Sequence, residues 1–151
     1  AVSSAEERQS PTWVAGIAEV TVDPKTGGVK INRLTIAMDM GIAVNPMNIK
    51  AQIQGSALWG ASQILSEKLT LKNGAFEQTN FHEYMPIRLE NIPQIDVEIV
   101  QSQRHPSGVG EPASTVVAPA VANAIFNAVG SRVRQMPITA EAVLKGMSKK
   151  A

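Results

Sequence analysis

The stretch WVAGIAEVTVDPKTGGVKINRLTIAMD, residues 13–39, decides the fold. Small and β-branched residues dominate Trp13 to Val22, and Asp23-Pro24-Lys25-Thr26-Gly27-Gly28 then concentrates turn formers. Val29 to Asp39 resumes an extended pattern. The spacing predicts a β-hairpin. In its second arm Val29 and Ile31 share one alternation phase while Leu34, Ile36 and Met38 share the other, and a bulge near Asn32-Arg33 reconciles them. The arm ends at Asp39-Met40-Gly41.

Outward from the hairpin, Asn45-Pro46 is a helix start, because Asn accepts from orphan N–H groups as the cap and Pro suits the first helical position. The helix is predicted to run from about 45 to 66. Ile49, Ile53, Ala57, Gly60 and Ile64 recur at helical spacing. Gly55, Ser56, Ala57, Gly60 and Ala61 would let another backbone approach closely. Leu69 to Phe76 straddles Asn73-Gly74, a short-hairpin signal, and Ile95, Val97 and Ile99 alternate with Asp96 and Glu98 as a half-buried strand. Further on, Ser114 or Thr115 is a candidate cap for a second helix at about 116–129, with Pro119 expected in its first turn. Val117, Val121, Ala124, Ile125 and Ala128 form its apolar face. Gly130 ends it, and Arg132 and Arg134 are placed to meet the helix's negative end or a distant acidic group. From Ile138 a weaker helical pattern follows. The fold class read from these elements is α+β, with strand hairpins and two main helices.

The chain has 151 residues with 44% hydrophobic content, enough to build one core. Fourteen basic against thirteen acidic residues leave it near neutral, which argues against nucleic acid and anionic membranes as partners. No apolar run approaches the roughly 20 residues that cross a bilayer. Zero cysteines exclude disulfides, Cys-ligated metals and thiol catalysis within these residues. Residues 1–12 are expected to be a flexible segment and 148–151 a tail.

The chemistry concentrates at Gly108-Val109-Gly110-Glu111-Pro112. Two glycines remove side chains that would keep a bulky cofactor from the backbone, and Pro112 restrains the chain beyond the carboxylate. Glu111 has two local readings of equal weight: a charge gaining about 0.3–1 kcal/mol at a helix N-terminus, or a general base. His82-Glu83 lacks the second histidine of a metalloprotease signature. His105 reads first as a solvated loop residue. No Gly-x-Ser-x-Gly is present, and Gly108-x-Gly110 lacks the third glycine of a dinucleotide fingerprint. Gln52 and Gln54 read as polar helix positions, although a buried Gln amide offers donors and acceptors to a polar heterocycle.

Taken together, the segments resemble the C-terminal part of the molybdenum-cofactor-binding large subunit of the xanthine dehydrogenase and aldehyde oxidoreductase family. The resemblance is carried by Ala18-Glu19-Val20 with Val22-Asp23 and Thr26-Gly27, by Asp39-Met40-Gly41 followed by Asn45-Pro46, and by Gln52-Ile53-Gln54-Gly55. It continues through Asn80-Phe81-His82-Glu83-Tyr84-Met85-Pro86, Gly108 to Pro112, and Ala118-Pro119-Ala120-Val121-Ala122-Asn123-Ala124-Ile125. The last block is most similar to the isoquinoline 1-oxidoreductase and membrane-associated aldehyde dehydrogenase branch.

The resemblance implies that residues 13–147 are the C-terminal portion of the second molybdopterin-binding domain. It implies that Glu111 is the carboxylate beside molybdenum, a general base on a metal-bound hydroxyl whose oxygen comes from water. Gln52 and the backbone of Gly108, Val109 and Gly110 are implied cofactor contacts, and no residue here is an implied metal ligand. The cofactor, a molybdenum–molybdopterin, would be shared with a companion chain carrying the rest of the subunit. Iron–sulfur clusters would sit on a partner subunit, with a cytochrome c as a further candidate partner, and the substrate would be an aldehyde or an N-heterocycle. The branch implies a periplasmic or membrane-associated setting. Gln54 departs from the family, which often has Glu there. Family subunits are several times longer, so the chain is expected to be a fragment or one piece of a split subunit. A non-catalytic scaffold retaining the fold is the competing reading.

Overall fold

The structure, a computed structural model, describes residues 11–148. Residues 1–10 of the expected N-terminal segment and 149–151 of the expected tail lie outside it. Strands β1 (Trp13–Val22) and β2 (Val29–Asp39) form the hairpin, closed by the Asp23–Gly28 turn. There the Asp23 carboxylate accepts the Lys25 N–H at 2.8 Å. The register runs Trp13 opposite Asp39 to Glu19 opposite Arg33, then shifts so that Val20 faces Ile31. Asn32 is therefore the extra residue, as the alternation phases required. The bulge returns both halves of β2 to the same face, so Ile31, Leu34, Ile36 and Met38 are all buried.

The third strand of the sheet, β5 (Gln94–Ile99), pairs in parallel with β2 on the side away from β1. Helix α1 (Pro46–Leu65) and helix α2 (Pro112–Val129) cover one face of this sheet, α2 lying over β1 and α1 beside β5. The core joins Leu34, Ile36 and Met38 to Ile53, Ala57 and Ile64 of α1 and to Val117, Val121 and Ile125 of α2. Burying each of the larger side chains stabilises the fold by about 1.5–3 kcal/mol. On the other face Trp13 and Ile17 are exposed. The architecture is the expected α+β arrangement, with two main helices packed on a mixed sheet.

Between α1 and β5, Asn73 and Gly74 adopt left-handed φ of 51° and 80°. This closes a short hairpin between β3 (Leu71–Lys72) and β4 (Ala75–Phe76). The segment after it is tied back to the end of α1. Ile87 N–H donates to Ser62 Oγ at 2.9 Å, and the Ser62 and Tyr84 hydroxyls both donate to the Glu67 carboxylate. Helix α3 (Ala140–Ser148) follows, with Ile138 N–H bonded to Ile64 O and the buried Ser131 hydroxyl donating to Val143 O.

Helix α2 departs from expectation at its start. It begins at Pro112, not near residue 116, with Glu111 as its N-cap residue. Ser114 and Thr115 cap nothing. Their hydroxyls fold back within the first turn to Glu111 O at 2.8 Å and Pro112 O at 2.7 Å. Pro119 consequently lies inside the helix, where it removes the N–H that would meet the Thr115 carbonyl. Both residues are on the exposed side, where water can take that carbonyl. By length and composition α2 is also apolar enough to cross a bilayer, but its Ala113, Val117, Val121 and Ile125 are fully buried in the core described above. Gly130 ends the helix with φ 73°. Arg132 returns to its last turns, donating to Asn123 Oδ1 at 2.9 Å and lying 3.6 Å over the Phe126 ring.

Candidate active site

The first part of the site is built by the end of β2. Gly41 has a φ of 82°, and a Cβ there would collide with the carbonyl oxygen of His105, so glycine is required for both its conformation and the close approach. Asp39 holds this corner. Its Oδ1 accepts the Gly41 N–H at 3.0 Å and lies 2.7 Å from Arg104 Nη2. The Gly41 bond, with the Arg104 guanidinium second, keeps the Asp39 carboxyl below its ordinary pKa. Segment 101–107 is thereby fixed against the sheet, and Ser107 N–H adds a bond to Met40 O at 2.8 Å.

The glycine turn follows from that anchor. Thr12, only 5% exposed, donates to Gly108 O at 2.8 Å and shares a 2.6 Å hydrogen bond with the Ser107 hydroxyl. The sequence offered no signal for Thr12, because its partners lie about 95 residues away in the chain. Val109 then joins Met40, Ile42, Asn45, Gln52 and Ser107 around a shallow cleft of about 260 Å³.

Helix α1 supplies the other wall. Asn45 caps it, accepting the Asn48 N–H at 3.1 Å, and this sets the rotation that places Gln52 two turns on, toward the glycine turn. A Cβ built on Gly110 would stand 3.6 Å from Gln52 Oε1. Gln52, Val109 and Gly110 are thus brought together from separate parts of the chain. Gln54 points elsewhere and donates to Ile95 O on β5 at 3.3 Å.

Glu111 sits at the junction of the two walls. It is exposed, with backbone angles of −112° and −31°, and its side chain makes no capping bond. Its carbonyl, by contrast, is held by Ser56 Oγ at 3.1 Å and Ser114 Oγ at 2.8 Å. The α1 and α2 backbones are close here, since a Cβ on Gly60 would lie 3.2 Å from Ser114 Cα and O. Ser56 was legible only as a small residue on the packed stripe. Its position three residues from Ile53 and four from Gly60 marks the buried face.

Neither histidine joins the cleft. His82 and His105 are exposed, and His105 contributes backbone only. The neighbouring Glu83 accepts from Thr79 and Asn80 N–H groups, which lowers its pKa, the Thr79 backbone bond most strongly. Among the described residues no cluster of His, Cys, Asp or Glu could hold a metal ion.

Residues 2–93 match the family described as a molybdopterin cofactor-binding domain, a stretch that contains Gln52 and ends before the glycine turn. Over 147 residues, 97% of the chain, the sequence is 45% identical to the membrane-bound aldehyde dehydrogenase (pyrroloquinoline-quinone) of Gluconacetobacter polyoxogenes, 19% of which is covered. It is 39% identical over 132 residues, 87% of the chain, to a subunit of the nicotinate dehydrogenase of Pseudomonas putida, with 11% of that protein covered. Among solved structures, quinoline 2-oxidoreductase from Pseudomonas putida 86 superposes with a TM-score of 0.77 at 22% identity, covering 86% of this chain and 18% of that one. The aldehyde oxidoreductase of Desulfovibrio gigas gives 0.74 at 27%, covering 91% and 15%. The chain therefore spans about a fifth or less of the length of these relatives.

Proposed function

The chain belongs to the molybdopterin cofactor-binding domain family, and from that premise we propose that it is one part of a molybdenum hydroxylase in which Glu111 is the general base. The observation that supports this reading most is the state of Glu111. It occupies a helix N-cap, yet its carboxylate makes no capping bond, and it adjoins the turn whose Ser107 and Val109 line an open cleft of about 260 Å³ together with Gln52. The residues fit a bulky cofactor on two counts. Gly110 offers bare backbone beside Gln52, and the exposed Gln52 amide offers donors and an acceptor to a polar heterocycle.

When bound, the molybdenum cofactor supplies the two-electron redox step. Gln52 and the backbone of Gly108, Val109 and Gly110 would hold its edge. Glu111 would act as the base that accepts a proton from the water supplying the product oxygen, for which its carboxylate has to be ionised beforehand. The substrates named for the relatives, aldehyde, nicotinate, isoquinoline and quinoline, favour an aldehyde or N-heterocycle. The membrane-bound relative favours a membrane-associated setting. The remainder of the subunit, on a companion chain or beyond these residues, would complete the cofactor site, and electrons would leave through an iron–sulfur partner and onward to a cytochrome c. The quinone in the name of the Gluconacetobacter relative is a cofactor of another class. The family match favours molybdopterin for this chain, and metal analysis of the purified enzyme decides between them.

The test is Glu111→Gln in the assembled enzyme. Retention of molybdenum with a loss of turnover of well over ~100-fold is expected. Near-normal turnover would overturn the assignment.

A further inference from the structure

We propose that Ser56 is a positioning residue for Glu111: it caps α2 from the neighbouring helix and so leaves the Glu111 carboxylate free for chemistry. The inference rests on the reading of Glu111 as the base and names the group that keeps it available.

A helix N-terminus exposes N–H groups that need acceptors, and the amide three residues into the helix is ordinarily taken by the side chain of the N-cap residue itself. In α2 that amide belongs to Ser114 and that side chain to Glu111. The expected bond is not made. Instead the Ser114 N–H is shared between Glu111 O at 3.0 Å, within its own turn, and Ser56 Oγ at 3.0 Å, across from α1. The same Ser56 hydroxyl donates its proton to Glu111 O at 3.1 Å. One hydroxyl has one donor and two acceptor sites, so it can serve both partners at once.

The bridge is built in. Ser56 is 8% exposed, and Gly60, one turn further along α1, admits the Ser114 backbone at a distance where a Cβ would meet it at 3.2 Å. Any larger residue at Gly60 would move the helices apart and lengthen both Ser56 bonds. Ser56 thus fixes the Glu111 backbone relative to α1, the helix that carries Gln52. Removing the hydroxyl leaves the Ser114 N–H only its bond back to Glu111 O at 3.0 Å, the tight turn within its own helix, and the N-cap carboxylate of Glu111 is the group sequence places to replace the lost acceptor. A carboxylate drawn into that bond is stabilised in its charged form and becomes a weaker base.

The experiment uses the assembled, molybdenum-loaded enzyme with Ser56→Ala, Ser56→Cys and Ser56→Thr, alongside Glu111→Gln. Ser56→Ala and the near-isosteric Ser56→Cys are expected to keep their molybdenum and to lose roughly ten- to hundred-fold in kcat, with KM little changed. The acid limb of their kcat profile should move to lower pH, and Ser56→Thr, which retains the hydroxyl, should restore both. Wild-type kcat and an unmoved acid limb in loaded Ser56→Ala would overturn the proposal. So would a loss confined to metal content, with turnover per molybdenum unchanged. Near-normal Glu111→Gln would remove the base reading itself, whereas an inactive Glu111→Gln beside a normal Ser56→Ala would remove only the role of Ser56.

Discussion

Arg104 Nη2 lies 2.7 Å from Asp39 Oδ1, and that same oxygen accepts the Gly41 N–H. One carboxylate therefore joins the end of β2 to the segment that leads into the glycine turn. Its folded pKa is below the ordinary value, so its contribution to stability is present above the unfolded pKa and is lost as pH falls through the folded one. Asp39→Asn keeps an acceptor for Gly41 but removes the charge. The variant should show a shallower loss of stability below about pH 4 than the parent, followed by circular dichroism. Its turnover should fall by up to roughly a hundred-fold because the turn is no longer held. Superimposable acid profiles would show that the pair carries no stability.

Gln52 is exposed and contributes nothing to the core, which separates its two possible roles. Gln52→Leu should leave thermal stability within about 0.5 kcal/mol of the parent, as for an ordinary surface change. Molybdenum occupancy should nevertheless drop, because each lost polar contact to a bound group weakens it by about 1–3 kcal/mol. Elemental analysis after purification measures this directly. Full occupancy in the variant would remove Gln52 from the cofactor contacts.

The Tyr84 hydroxyl donates to Glu67, and that bond raises the tyrosine pKa above its ordinary value. A raised folded pKa means that the associated stability is fully present below the unfolded value and is lost as pH rises through the folded one. The segment from Glu77 to Ile87 should accordingly stay closed at neutral pH and open in strong alkali. Tyr84→Phe should open it at neutral pH, seen as several-fold faster proteolytic cleavage between residues 77 and 87. Equal cleavage rates in parent and variant would mean that the Ser62 bond to Ile87 suffices.

The features that sequence revealed are those whose causes are local. Asp23 to Gly28 closes its hairpin with its own side chains, the phase change between Ile31 and Leu34 needs the extra residue Asn32, and Asn45 caps with its own amide oxygen. Two features with distant causes were hidden. The parallel pairing of β2 with β5 joins residues about 60 apart, and nothing in either strand names its partner. The start of α2 was misplaced because Ser114 and Thr115 have the chemistry of caps, while the acceptor that serves the helix, Ser56, comes from another helix. The proximity of Gln52 to Gly110 was legible only through family resemblance. It depends on how α1 packs on α2, a relation that no single segment encodes.

Gly55 and Gly60 share α1 but face different surroundings, and alanine should tell them apart. In a helix interior Gly→Ala gains about 0.8–1.0 kcal/mol from backbone entropy. At Gly55 nothing lies within 4 Å of the added Cβ, so the full gain should appear as a raised Tm. At Gly60 the methyl would press on Ser114 Cα and O at 3.2 Å, and overpacking of this kind costs about 1–3 kcal/mol, so the sum should be a lowered Tm. Gly60→Ala should also lower kcat, because the Ser56 bridge to Glu111 stretches as the helices separate. Thermal melts of the two variants in the assembled enzyme make the comparison. A Gly55→Ala that lowered Tm would show that something outside the described residues packs against Gly55, since the described residues leave that space open.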